Sequence, residues 1–279
     1  MRTGGWRNLL RPGGADDFFA AAPTRPLAAA DRAGDVDAAW WCSELARLAY
    51  RDPDAKGRAR AAFLADVGLR ELGSVDRAGT HCLIVGPAAG APFVVAAFRG
   101  TDEVRDWLTN FQAVPARWSA GGYVHRGFRN AFHDVLEALQ DDLGKHAAVP
   151  LHLCGHSLGG ALALLAATVF GACTVRTFGA PRVGDAAFAA TLHGIDVAQF
   201  ATEHDLVPHL PPSGTPLHFQ HVQVPVVLRG DGGLETWGAV GGESEPAGRD
   251  RRWYAPPTRL AEHAPLVYSE RLRRLCGGT

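Results

Sequence analysis

One stretch, residues 149–160, constrains the fold of this chain more than any other; it reads VPLHLCGHSLGG. A short apolar segment precedes the pattern G-x-S-x-G around Ser157, and an almost uninterrupted apolar run follows as far as Phe170. Strand, G-x-S-x-G and helix in this order are typical of a nucleophile elbow, in which a serine projects above a sheet from a sharp, strained turn. Gly155 and Gly159 fit, because larger side chains would collide with the turn. The stretch therefore predicts a nucleophilic serine.

Hydrophobic patterning over the rest of the chain predicts strands that alternate with helices. Strands are expected at residues 82–85, 93–98, 151–154, 174–178, 197–201 and 219–224. Helices are expected from residue 37 to the Asp-Pro pair at 52–53, and at residues 58–67, 128–144, 160–170, 185–192 and 266–275. This alternation indicates a mostly parallel sheet that is covered by helices on both faces.

Length and composition fit one α/β domain. The chain has 279 residues, 47% of them hydrophobic, which is enough for a single domain over residues 36–279. Residues 1–35 show no hydrophobic period and are expected to form an N-terminal arm, in part disordered. Residues 229–258 are rich in Gly, Pro and charges and are expected to be a surface excursion.

Charge and cysteine content exclude several classes of protein. A formal net charge of −1 provides no field for nucleic acid, and no apolar run approaches the ~18 residues of a membrane span. Asp16 and Asp17 lie where a signal peptide would be most apolar, so a cytoplasmic location is expected, with export by another route left open. The five cysteines include no CxxC pair; Cys82, Cys154 and Cys173 fall in or beside apolar runs and are expected to be buried thiols.

A serine nucleophile needs a base, and the base needs an orienting acid. In α/β-hydrolase folds the chain order is serine, acid, histidine. Asp205 follows strand 197–201 at the expected sheet edge, whereas Asp185 and Asp196 are more typical of a helix cap or a turn.

The best candidate for the base is His263, on the loop that enters the last helix. Other histidines also follow Ser157 in the chain, namely His204, His209, His218 and His221. The first two are too close to the acid, and the last two fall in the predicted strand. A metal site on His218 and His221 is not expected, since residues three apart on a strand face opposite sides. The side chain of His156 is expected to point away from that of Ser157.

The segment Arg99-Gly100-Thr101 ends the strand predicted at 93–98, where the second half of an oxyanion hole should lie. Such a hole needs two donors, one of them the N–H of the residue after the nucleophile. The sequence therefore predicts the N–H groups of Leu158 and Thr101 as donors, with the Thr101 hydroxyl as a possible third.

Apolar residues recur at helical spacing directly after this segment, at Val104, Trp107, Leu108 and Phe111. The pattern alone fits an ordinary surface helix equally well. Its position beside the oxyanion segment favours a short lid helix that turns its apolar face to lipid.

These motifs, in this order, resemble those of the class 3 lipases, the fungal-type triacylglycerol lipase family of the α/β-hydrolase superfamily. The matching segments are FRGTDEVRDWLTNF (98–111), VHRGF (124–128), GHSLGG (155–160), TFGAPRVG (177–184), HDLVPHLPP (204–212) and EHAPLVY (262–268). Secreted fungal members carry a signal peptide and disulfides, and neither is evident in this sequence.

The resemblance implies an α/β-hydrolase fold with a short lid helix. It implies the following roles: Ser157 as nucleophile, Asp205 as orienting acid, His263 as general base, Thr101 and Leu158 as the oxyanion hole, Trp107 as part of the lid, and Val207 and Pro208 as flanks of the substrate pocket.

Residues and resemblance together predict a serine hydrolase that cleaves carboxylic esters of lipids through an acyl-enzyme on Ser157, without metal or cofactor. Triacylglycerol lipase is favoured, and phospholipase A1 and short-chain carboxylesterase stay open. An acyltransferase, an exported antibacterial lipase effector and an inactive interaction domain are less favoured. The expected partner is a lipid or ester substrate at a lipid–water interface; the sequence indicates no oligomeric state.

Overall fold

The fold is α/β: a central β-sheet has helices on both of its faces. The computed structural model describes residues 12–52, 57–90, 92–101, 114–172, 174–212, 218–237 and 261–276. The strands are β1 (Leu69–Arg77), β2 (Thr80–Pro87), β3 (Val94–Phe98), β4 (Pro115–Arg117), β5 (Tyr123–His125), β6 (Leu151–His156), β7 (Thr174–Phe178), β8 (Asp196–Thr202), β9 (Val226–Leu228) and β10 (Leu234–Thr236). The helices are α1 (Val36–Leu48), α2 (Arg60–Asp66), α3 (Arg126–Gly144), α4 (Leu158–Phe170), α5 (Ala186–Ala190) and α6 (Pro265–Leu275).

Eight strands form the main sheet in the order β1-β2-β3-β6-β7-β8-β9-β10. The five strands from β3 to β9 are parallel, and β1, β2 and β10 add antiparallel edges. The predicted mostly parallel sheet is confirmed. Since parallel strands end at the same edge, the residues that follow β3, β6, β7 and β8 meet there.

The strand predicted at residues 219–224 is wrong. That segment contains one isolated bridge, between Gln220 and Gly184, and the strand that pairs with β8 is β9, which begins two residues later. His218 and His221 therefore do not lie in a strand, and the argument from opposite faces does not apply to them. Strand β1, a nine-residue edge strand with a mostly polar pattern, was not predicted from the sequence.

Two apolar clusters cover the faces of the sheet. Along β3, Val95 and Ala97 belong to the cluster shared with α1 and α6, while Ala96 and Phe98 belong to the cluster shared with α3 and α4. Helix α4 is buried over most of its length, as the apolar run in the sequence requires.

The described part of the N-terminal arm packs onto the first of these clusters. Phe18, Phe19 and Leu27 are buried with α1, and the guanidinium of Arg176 on β7 donates to the carbonyls of Arg32 and Ala33. These contacts attach residues 12–35 to the helical layer and the sheet.

Candidate active site

Ser157 lies at a strained turn between β6 and α4. Its backbone has φ 58° and ψ −128°, which L-residues rarely adopt, and its N–H donates to the Phe178 carbonyl oxygen at 2.9 Å. The residue is 1% exposed. This is the geometry of a nucleophile elbow, which the sequence predicted.

The glycines around the turn allow three backbone segments to meet. A Cβ on Gly155 would overlap the backbone of Gly159, and a Cβ on Gly159 would overlap the carbonyl of Phe98 at the end of β3. Strand β6, helix α4 and strand β3 are thus in backbone contact directly below Ser157.

Asp205 and His263 are hydrogen bonded to each other, although 58 residues separate them in the chain. The Nδ1 atom of His263 lies 2.7 Å from Oδ2 of Asp205, and both side chains are buried. Asp205 also accepts from the Tyr268 hydroxyl at 2.6 Å and, through Oδ1, from the Val207 N–H at 2.8 Å. The three donors, from His263, Tyr268 and Val207, fix the carboxylate. The carboxylate in turn holds the His263 ring at Nδ1, so that Nε2 is the ring nitrogen that Asp205 does not contact.

Gly179, the residue after β7, brings this pair next to the sheet edge. A Cβ at this position would lie 2.9 Å from Oδ2 of Asp205 and 3.1 Å from Cε1 of His263. Only a residue without a side chain leaves room for the pair above β7. The Tyr268 hydroxyl lies at the same place, and burial together with Asp205 raises its pKa well above the usual value, so it stays a donor.

Among the described residues, the Ser157 Oγ and the His263 Nε2 are each buried without a hydrogen-bond partner. The hydrogen bond between Asp205 and His263 is therefore formed, whereas the hydrogen bond between His263 and Ser157 is not formed in this structure. In serine hydrolases without substrate, this bond is often long and tightens on binding. Two orphaned polar atoms of complementary type at one site are what a proton transfer from serine to imidazole requires.

The predicted oxyanion donors belong to two segments next to Ser157. Leu158 is the first residue of α4, whose first N–H groups have no partner within the helix. Thr101 follows Gly100, where a Cβ would lie 3.1 Å from the Ser157 Cβ and 2.7 Å from the His156 carbonyl oxygen. The segment that carries Thr101 thus passes beside the nucleophile, and its role as a donor stays a prediction.

The other predicted site residues are placed only in part. The lid residues Val104, Trp107, Leu108 and Phe111 lie outside the described residues. Val207 and Pro208 are buried in a short 3-10 helix directly after Asp205. The Val207 N–H supports the carboxylate, and a pocket-lining role for either residue stays a prediction.

The competing candidates have other partners. Asp185 caps α5 by accepting from the Phe188 N–H, and Asp196 accepts from the Ala33 N–H. His221 is half-buried between the Pro208 carbonyl and the Gln199 amide, and desolvation together with Arg182 lowers its pKa to about 3. Within the described ranges, no group of three or more His, Cys, Asp and Glu side chains lies close enough to hold a metal ion.

Comparison with known proteins finds similarity to lipases. The lipase of Rhizomucor miehei is 34% identical over 137 residues, which cover 43% of this chain and 38% of that lipase. A solved triacylglycerol lipase, whose catalytic centre is formed by a serine protease triad, is 27% identical with a TM-score of 0.52, covering 59% of this chain and 68% of that one. The family model for lipase (class 3) matches residues 95–215. Residues 95–215 of this chain are thus similar to the class 3 lipases.

The class 3 lipase match includes Ser157 and Asp205 and stops before His263. Toxin TseL of Vibrio cholerae serotype O1 is also similar, 38% identical over 97 residues that cover 33% of this chain and 15% of the toxin. The chain thus spans 38% and 15% of the lengths of these two relatives. In the described residues, no helix is both long and apolar enough to cross a membrane.

Three side chains at the site were not predicted from the sequence: Tyr50, His156 and Tyr268. Tyr268 donates to Asp205, and Tyr50 and His263 both contact His156. His156 had been expected only to point away from the nucleophile. Tyr50 and His156 are 106 residues apart, and no spacing rule connects them. Only the folded arrangement shows that they meet.

Proposed function

We propose that this chain is a serine hydrolase that cleaves carboxylic esters of lipids, with Ser157 as nucleophile, His263 as general base and Asp205 as its orienting acid. One observation carries the proposal: His263 binds Asp205 through Nδ1 at 2.7 Å, and among the described residues neither its buried Nε2 nor the Oγ of the strained Ser157 has a hydrogen-bond partner. An imidazole oriented in this way can take the serine proton.

The reaction follows from these positions. Ser157 Oγ attacks the acyl carbonyl carbon while His263 Nε2 takes its proton, and Asp205 stabilises the imidazolium. The N–H groups of Leu158 and Thr101 hold the oxyanion. The alcohol leaves with the proton from His263, and water activated by the same histidine then releases the acid and restores the serine.

The proposed substrates are lipid esters, with triacylglycerols first. The relatives that support this choice are the Rhizomucor miehei lipase and the solved triacylglycerol lipase. Phospholipase A1 and short-chain carboxylesterase activity use the same acyl-enzyme and differ only in the pocket and the alcohol. No metal or cofactor takes part in the proposed steps.

The direct test is hydrolysis of nitrophenyl esters of increasing acyl length, below and above the concentration at which the ester forms an emulsion. We expect turnover by the unaltered chain and none above background by Ser157→Ala. A rate that rises at the emulsion interface supports a lipase with a working lid. A rate that is highest for short, dissolved esters supports a carboxylesterase instead.

A second candidate use of the same chemistry is that of a toxin that attacks membrane lipids. The similarity to toxin TseL favours it. Release of fatty acid from phospholipid vesicles, measured beside release from a triacylglycerol emulsion, separates the two. The cytoplasmic location expected from the sequence stays a proposal, and fractionation of the producing cells tests it.

A further inference from the structure

His156 precedes the proposed nucleophile in the chain, yet its imidazole contacts residues from two other parts of the molecule. Its Nε2 lies 2.6 Å from the backbone carbonyl oxygen of His263, and its Nδ1 lies 2.9 Å from the Tyr50 hydroxyl. The ring is buried, with its centroid 4.6 Å from that of the His263 imidazole. No step of the proposed reaction uses this side chain.

The partners of His156 fix its tautomer. A carbonyl oxygen only accepts, so Nε2 must carry the proton. In the neutral ring, Nδ1 then has a lone pair, and the Tyr50 hydroxyl donates to it. Burial, together with the neighbouring His263, lowers the pKa of His156 well below its usual 6.5 and so keeps the ring neutral. The two hydrogen bonds therefore run in one direction, from Tyr50 through His156 to the His263 carbonyl.

This arrangement gives His263 a second fixed point. Asp205 holds the imidazole at Nδ1, and His156 holds the backbone of the same residue at its carbonyl. His263 lies on the segment that enters α6, so the direction of its side chain depends on how that backbone is held. Two fixed points define where Nε2 is aimed, whereas one would leave the ring free to swing about the Asp205 bond.

We propose that His156, oriented by Tyr50, is a positioning residue for the general base: it fixes the backbone of His263 so that Nε2 faces Ser157. The inference rests on the proposed function, because it assigns a purpose to the same site. The hydroxyl of Tyr50 also reaches the oxyanion segment, since a Cβ on Gly100 would overlap it. Tyr50 thus touches both halves of the site.

The test compares two substitutions of His156. His156→Leu removes both hydrogen bonds, whereas His156→Gln keeps an amide that can donate to the His263 carbonyl. For His156→Leu we expect kcat with a nitrophenyl ester to fall by about 10²-fold, as for a catalytic group misplaced by about 1 Å, with KM changed by less than about twofold. For His156→Gln, which keeps the donor to His263 but lacks the acceptor for Tyr50, we expect a smaller loss of about tenfold.

The matched control is His152→Gln. His152 is a buried histidine on the same strand, β6, but its Nδ1 contacts the Thr174 hydroxyl rather than the site. We expect this variant to lose stability and to keep kcat within about twofold, since it leaves the position of the base unchanged. A control that lost kcat as strongly as His156→Leu would show that any buried histidine of this strand matters equally, and that would overturn the proposal.

Tyr50→Phe keeps the ring and removes only the hydroxyl, so it tests the same hydrogen bonds even if His156→Leu does not fold. We expect about a tenfold loss of kcat on its own and no further loss in the His156→Gln background, which lacks the Nδ1 acceptor. Unchanged kcat in Tyr50→Phe, or equal losses in His156→Leu and His156→Gln, would overturn the proposal. An unaltered chain without esterase activity would instead overturn the proposed function itself.

Discussion

At the scale of single residues, the site concentrates strain and unpaired polar atoms at one point. Ser157 has φ 58°, a conformation that costs of the order of 1–3 kcal/mol for a residue with a side chain. Its Oγ and the Nε2 of His263 are buried without partners among the described residues, a further cost that folding alone does not explain. Such costs persist where chemistry needs them, and here they coincide with the proposed nucleophile and base.

Asp205→Asn tests the orienting acid. The carboxylate accepts from His263, Tyr268 and Val207, and an amide in its place would offer an N–H where an acceptor is needed. We expect His263 to be held in the wrong tautomer and kcat for an ester substrate to fall by about 10⁴-fold, as in other serine triads. Asp185→Asn is the control, because that side chain caps α5 and Asn caps helices as well as Asp does. A loss of less than about tenfold in Asp205→Asn would contradict the assigned role.

At the scale of elements, the parts that the sequence predicted are those with a strong local pattern. Helix α3 has an apolar stripe at helical spacing, helix α4 is an almost continuous apolar run, and β7 is a short segment that is buried throughout. Strand β1 was not predicted because its residues are mostly polar. It forms a strand because its backbone pairs with β2. The composition of residues 219–224 is typical of a strand, but the strand that pairs with β8 is β9.

The same limit applies to the site. Ser157, Asp205 and His263 were proposed from a motif and from chain order, which are properties of the sequence. Tyr50 and Tyr268 were not, because their roles depend on which hydroxyl reaches which buried acceptor after folding.

Gly159→Ala tests the junction of β3, β6 and α4. A Cβ at this position would overlap the Phe98 carbonyl, which is backbone and cannot rotate away. We expect the free energy of unfolding to fall by about 1–3 kcal/mol, the range for overpacking, and activity to fall because the elbow shifts. Gly144→Ala at the end of α3 is the matched control: nothing lies within 4 Å of its Cβ, so no loss of stability is expected. Urea unfolding of both variants is the measurement, and equal stabilities would contradict this account.

At the scale of the whole molecule, several histidines are buried in the neutral form. Burial and Arg176 lower the pKa of His152 to about 4, and desolvation together with Arg182 lowers that of the half-buried His221 to about 3, whereas the usual value is 6.5. The unfolded chain therefore binds protons, between pH 6.5 and about 4, that the folded chain does not. The folded state is favoured above this window and progressively less so within it.

We therefore expect the free energy of unfolding to fall as the pH falls through this window. Each histidine that stays neutral adds a slope of up to about 1.4 kcal/mol per pH unit. Urea unfolding at a series of pH values measures the slope. His152→Gln removes one of these histidines, so it should make the slope shallower by up to the contribution of one histidine. A free energy of unfolding that is constant or rises as the pH falls from 6.5 to 4 would contradict the assignment of neutral histidines.

The central claim is that two side chains distant in the chain, Asp205 and His263, activate the hydroxyl of Ser157. A fluorophosphonate probe reacts with such a serine and leaves a covalent adduct that mass spectrometry locates. We predict one adduct per chain, on Ser157, formed rapidly by the unaltered chain, much more slowly by His263→Ala, and not at all by Ser157→Ala. An unaltered chain that forms no adduct, or forms it on another residue, would contradict the account.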